Sequence, residues 1–105
     1  MERKNFQTEL HDTEKEVMRF DTNFVRNSDL VVVNANDPKS IGTSMEIAIA
    51  YERHIPVLVL NTEKKRLHAW LVQMSDKIFD DEKKLCTYIY DFYLKMGHCS
   101  IRAWV

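Results

Sequence analysis

Asp21 and Glu46 are the two residues whose settings call for chemistry. Asp21 falls four residues after Val17 and three before Phe24, inside an apolar helical stripe, so the spacing turns it toward the core side. A carboxylate turned inward needs a partner or a purpose. Glu46 closes the run Ser40-Ile41-Gly42-Thr43-Ser44-Met45-Glu46, a small-residue turn that leads into a helix. Cleavage of a glycosidic bond needs two carboxyl groups at one sugar. One attacks the anomeric carbon or shields its oxocarbenium-like charge, and the other manages protons on the leaving group or the water. The plainer reading of Glu46 is an acid in the first turn of a helix, favoured there by the helix dipole by about 0.3–1 kcal/mol.

The residues around Glu46 suit an anion. In open α/β sheets ligands bind beyond the carboxyl ends of the strands, and the loop from Asn34 to Gly42 follows a strand and opens a helix. A helix N-terminus offers backbone N–H groups and the positive end of its dipole. Asn34, Ser40, Gly42 and Thr43 are therefore the candidate substrate-binding residues. The turn is neither a GxGxxG fingerprint nor a Walker loop, since the lysine precedes it and Gly42 is its one glycine. The two cysteines, 86 and 99, and the four histidines show no metal-ligand spacing, so neither a metal nor a cofactor is expected. Cys86 reads as a small core residue of a helix and Cys99 as an exposed thiol of the tail.

The elements that must position these residues follow from hydrophobic period. Thr13-Glu14-Lys15-Glu16 reads as a capping box, which opens a helix running to about residue 27 with Val17, Phe20, Phe24 and Val25 as its apolar stripe. Leu30-Val31-Val32-Val33 is a β-branched run of the kind buried on both faces of a parallel sheet. A second helix, from Gly42 or Thr43 to about Arg53, carries Met45, Ile47, Ala48, Ile49 and Ala50 and should be well buried. Residues 55–60 make a second strand with Pro56 at its start. A third helix is expected over 63–74, a short strand over 77–80 and a last helix over 82–96, with Leu85, Ile89, Phe92, Tyr93 and Met96 on one face and Gly97 as terminator. The tail, residues 98–105, is apolar enough to dock on its own body or on a neighbour.

Helices alternating with strands predict an α/β fold: a small parallel sheet of about three strands flanked by helices, three-layered and Rossmann-like. The 105 residues fit one domain, with residues 1–12 as an N-terminal arm. Three strands leave exposed edges, which a homodimer could cover. Net charge is −1 and the pI about 6.4, which argues against nucleic acid or an anionic membrane as a bulk partner. No apolar run approaches the roughly 20 residues of a membrane span, and no signal-peptide core opens the chain, so a cytoplasmic protein is expected.

Taken together, Asp21, Asp29-Leu-Val-Val-Val, Ser40-Ile-Gly42-Thr-Ser-Met-Glu46, Ala48-Ile-Ala50 and Pro56-Val-Leu-Val-Leu resemble the nucleoside 2-deoxyribosyltransferase superfamily, which includes the 2′-deoxynucleoside 5′-phosphate N-hydrolases. The likeness covers roughly residues 15–95. It implies Glu46 as a nucleophile that forms a deoxyribosyl-enzyme intermediate and Asp21 as the second catalytic carboxylate. Ser40 matches members that act on 5′-monophosphates, and Gly42 would let backbone approach the ligand. Asp29 is the strand-opening residue rather than a catalyst. Members of the superfamily begin with a strand, a helix and a second strand, which residues 1–12 do not contain. On this resemblance the chain lacks the first third of the fold. Two other functions remain open: a non-catalytic nucleotide-binding or protein-interaction module on the same scaffold, and an unrelated flavodoxin-like or regulator-like domain.

Overall fold

The computed structural model describes residues 6–95, 97 and 99–105. Among the described residues, four helices and four strands follow one another as α1 (Phe6–Arg26), β1 (Leu30–Asn34), α2 (Ile41–Glu52), β2 (Val57–Leu60), α3 (Ala69–Met74), β3 (Lys77–Phe79), α4 (Glu82–Ile89) and β4 (Ile101–Arg102). A π-helical turn, Tyr90–Leu94, continues α4. The strands form one parallel sheet in the order β3-β2-β1-β4.

β1 and β2 are buried throughout their apolar lengths because helices cover both faces of the sheet. Val31, Val33, Val57 and Val59 pack with Val25 of α1 and Ile47 and Ala50 of α2, and Leu71 and Met74 of α3 border that cluster. Leu30, Val32, Leu58 and Leu60 pack on the other side with Leu85 of α4. This is a three-layer α/β domain. The crossovers through α2 and α3 carry the chain from β1 out to β3. The one through α4 returns it past β1 to β4. The direction of winding therefore changes between β1 and β4, the topological switch point at which such sheets hold ligands.

The fourth strand is the tail. Ile101 and Arg102 pair in parallel with Leu30 and Val31, so the edge that three strands would have left on β1 is covered from within the chain. Beyond β4 the backbone swings out at Trp104, whose φ is +59°. It returns at Val105, whose N–H donates to the Val32 carbonyl at 3.0 Å while its own carbonyl accepts from Asn34 N–H at 3.1 Å.

Several expected boundaries move, each for a local reason. α1 runs straight through Thr13, so the capping box is not used; the preceding residues hold no glycine or proline that would stop a helix. α3 begins at Ala69 rather than Glu63, because the Asn61 side chain exchanges hydrogen bonds with Lys65 N–H and C=O and closes a loop in place of the first helical turns. The last helix changes to the wider π turn after Ile89, which swings Phe92 out to solvent, 63% exposed, while Tyr93 stays against the core. Its expected end, Met96, lies outside the described residues. Cys86 is exposed, not core, since it sits one position past Leu85 on α4. Met45 is exposed as well, and only Glu46, Ile47 and Ala50 of α2 are buried. Of the α1 stripe, Val25 alone is fully buried, and Val17, Phe20 and Phe24 are exposed.

Candidate functional site

Ser40 starts α2. Its backbone is extended and its Oγ accepts from Thr43 N–H at 3.1 Å, the standard N-cap bond. The same hydroxyl donates to Thr43 Oγ1 at 3.1 Å, and Ser44 Oγ donates to the Ser40 carbonyl at 3.1 Å. With the helix beginning at Ile41, Glu46 is its sixth residue and lies beyond the first turn, where the dipole acts. The dipole therefore does not account for Glu46, which is 8% exposed.

Arg102 accounts for it. Its Nη2 donates to Glu46 Oε1 at 2.8 Å, and the same nitrogen lies 3.7 Å from Asp21 Oδ1. The guanidinium carbon sits 5.2 Å from the centre of the Phe24 ring, a cation–π contact. Arg102 Nε is buried and has no hydrogen-bond partner among the described residues. Three elements thus meet at one group. α1 supplies Asp21 and Phe24, α2 supplies Glu46, and β4 supplies Arg102 on the sheet face opposite Ile101. Even laid end to end, the two contacts to Nη2 keep the carboxylate oxygens within the roughly 9.5 Å upper separation of paired glycosidase acids.

The remaining candidates are held by other work. Asn34 Oδ1 accepts from Asn36 N–H at 3.1 Å and its Nδ2 donates to Asp37 at 3.2 Å, which shapes the loop after β1. Asn36 Oδ1 in turn accepts from Thr62 N–H and Oγ1, tying that loop to the one after β2. A Cβ added at Gly42 would meet only Ser40 Oγ, at 3.8 Å, so nothing within the chain requires glycine there. Lys39 Nζ donates to the Val105 carbonyl at 3.1 Å, and burial pulls its pKa below the usual lysine value against the opposing charge of Asp37.

A cleft of about 450 Å³ opens between α2 and α3, walled by Ile41, Ser44, Met45, Leu71 and Met74 and edged by His68. Glu46 and Asp21 do not line it, because Glu46 projects from the other side of α2 toward α1. Ser40 and Thr43 are joined by hydrogen bonds at the start of α2, and Asn34 ends β1 with its side chain bonded within its own loop. The two carboxylates lie beside Arg102, which is in register with Val31 nearer the start of β1. Among the described residues no group of three or more His, Cys, Asp or Glu is placed to hold a metal ion, and no helix is long and apolar enough to cross a membrane.

Arg102 is the residue that sequence reasoning missed. The available signal was a single cation alternating with apolar neighbours in Ile101-Arg102-Ala103-Trp104, which would put it on the opposite face from Ile101 in a strand. Two paired residues are too few for that alternation to be read as a strand. No family model, no curated protein and no solved structure matches the chain.

Proposed function

We propose that this protein cleaves or transfers the N-glycosidic bond of a 2′-deoxynucleoside or its 5′-monophosphate. The observation that supports this reading is the convergence of Glu46 and Asp21, from two different helices, on one nitrogen of Arg102. In this scheme a Glu46 oxygen attacks the anomeric carbon. The bond to the base nitrogen breaks, its electron pair leaves with the base, and Asp21 manages the proton that the base takes up. Water or a second base then releases the sugar from Glu46. Arg102 positions both carboxylates. The turn from Ser40 to Thr43, at the start of α2, would receive the 5′-phosphate. The cysteines, 86 and 99, are both free, which suits a cytoplasmic, reducing setting.

A second reading, a non-catalytic nucleotide-binding or interaction module on the same scaffold, is favoured by a specific feature: the Glu46 carboxylate already has a partner in Arg102. One assay separates the two. Release of free base is followed chromatographically over a panel of deoxynucleosides and deoxynucleoside monophosphates, for the wild type and Glu46→Gln. Release by the wild type alone is the expected result. Release by neither folded protein would leave the binding module as the reading.

A further inference from the structure

We propose that Ile101–Val105 is a strap that lifts from the β1 edge as a unit, hinged at Ser100, and takes Arg102 off Glu46 and Asp21 while the rest of the sheet stays paired. The strap is short. It pairs with β1 through two residues, Ile101 against Leu30 and Arg102 against Val31. Ala103 and Trp104 are exposed, and Val105 regains the edge with one bond to the Val32 carbonyl and one from Asn34 N–H. Lys39 Nζ donates a further bond to the Val105 carbonyl. Behind the strap, Ser100 is held twice by Asp29, through backbone and through carboxylate. A segment fastened at two points with its middle in solvent is the part of a sheet that opens locally, because few contacts must break together.

Two unfavourable features exist only while the strap is down. Trp104 holds φ at +59°, the left-handed region that an aromatic residue disfavours. Arg102 Nε loses water on burial and gains no hydrogen-bond partner among the described residues. Both are relieved when the strap lifts. Against them stand the burial of Val105, its hydrogen bonds, and the contacts of Arg102 Nη2 with Glu46 at 2.8 Å and Asp21 at 3.7 Å. The two acids are thus part of the fastening, and buried Glu46 opens to solvent when the strap does. Only the consequence for catalysis rests on the proposed function: a sugar reaches Glu46 with the strap up, and its return brings Arg102 back to position both carboxylates.

The test is hydrogen exchange on the folded full chain, followed amide by amide by NMR. It makes no use of the glycosidic reading, so either can fail without the other. β1 carries its own control: Asn34 N–H bonds to the strap, whereas Val31 and Ala35 N–H bond to the carbonyls of Pro56 and Leu60 on the β2 side. Asn34 and Val105 are expected to exchange at least about thirtyfold faster than Val31 and Ala35. Glu46→Gln weakens the hold on Arg102 and should speed Asn34 and Val105 about fivefold, with Val31 and Ala35 unchanged. Trp104→Asn places a residue that tolerates the left-handed region and should slow the same two amides about threefold. Uniform exchange along β1 would overturn the proposal, as would faster exchange of Val105 in Trp104→Asn. So would Asn34 and Val105 rates indifferent to Glu46→Gln, the mark of Val105 peeling away alone without moving Arg102.

Discussion

Arg102 Nη2 reaches Glu46 Oε1 at 2.8 Å across 56 positions of chain, and it does so from a strand of two residues. The ion pair that orders the candidate site therefore depends on how the tail is fastened to β1. Glu46 has 11% of its side chain exposed and Arg102 26%, so desolvation has already been incurred by both. A carboxylate left in that position without its cation is costly. Arg102→Met should lower stability by about 2–4 kcal/mol, near the low end of the range for a buried pair because Arg102 keeps some contact with solvent. Glu46→Leu alone should cost less, since Arg102 retains Asp21 close by. The double variant should recover part of the loss. Urea unfolding of the four proteins measures the coupling, and strict additivity would show that the contact contributes nothing.

The fastening itself is testable. Asp29 N–H donates to the Ser100 carbonyl and Asp29 Oδ2 accepts from Ser100 N–H, both at 2.8 Å. Asp76 makes the same reciprocal pair with Val57, at 2.8 and 2.7 Å, where β2 and β3 begin. Each aspartate locks two neighbouring strands at their starts. Asp29→Ala should cost about 1.5–3 kcal/mol, the range for a hydrogen bond to a charged group, while Asp29→Asn keeps an acceptor and should lose less. Hydrogen exchange at the Val105 amide, which donates to Val32, should accelerate in Asp29→Ala. An unchanged rate would mean that the tail is held without this clamp.

These pairs mark what the sequence could and could not yield. The buried strands β1 and β2 are legible in Leu30–Val33 and Val57–Leu60, because continuous β-branched and aliphatic runs have few other places to go. Asp21 and Glu46 stand out in the sequence by their settings. The stripe that should turn Asp21 inward is itself largely exposed, however, and 38% of the Asp21 side chain is open, while Glu46 is buried beyond the first helical turn in which the sequence placed it. The group between them is not legible. Arg102 reaches the site through a parallel pairing of β4 with β1, fixed by backbone bonds rather than by any pattern in the tail. The exposure of Phe20 was likewise hidden. Periodicity identifies an apolar face but not what covers it, and from residue 12 onward the body of this protein covers α1 only toward its carboxyl end.

The cysteines divide by environment. Cys86 is exposed on α4, whereas Cys99 borders the core. Burial pushes the Cys99 thiol up from its ordinary value, and the charge of Asp29 pushes the same way. At neutral pH a disulfide reagent should label Cys86 first, with site-resolved mass spectrometry showing Cys99 lagging until the pH is clearly alkaline. The sign of the linked stability follows. A thiol whose pKa is raised by folding stabilises the fold fully below its ordinary value, and that contribution is lost as the pH rises through the folded value. Equal labelling of both sites at neutral pH would show that Cys99 is as open as Cys86.

Ser40 and Gly42 separate structural from ligand roles at the start of α2. Ser40→Ala removes an N-cap and should cost about 1 kcal/mol. Ser40→Asp keeps a capping oxygen and should hold most of that stability, while placing a negative charge where the proposed phosphate would lie. On the proposed function, Ser40→Asp should reduce base release from monophosphates at least about tenfold, the equivalent of 1.4 kcal/mol, and spare the free nucleosides. Gly42→Ala has open space before it, with Ser40 Oγ as the one neighbour at 3.8 Å. Alanine also lowers the entropy of the unfolded chain, so the variant should gain about 0.4–1 kcal/mol in thermal unfolding. If a ligand closes over that backbone, the same methyl group should weaken nucleotide binding, so that stability and binding move in opposite directions. A more stable Gly42→Ala with unimpaired nucleotide binding would place the ligand away from this turn.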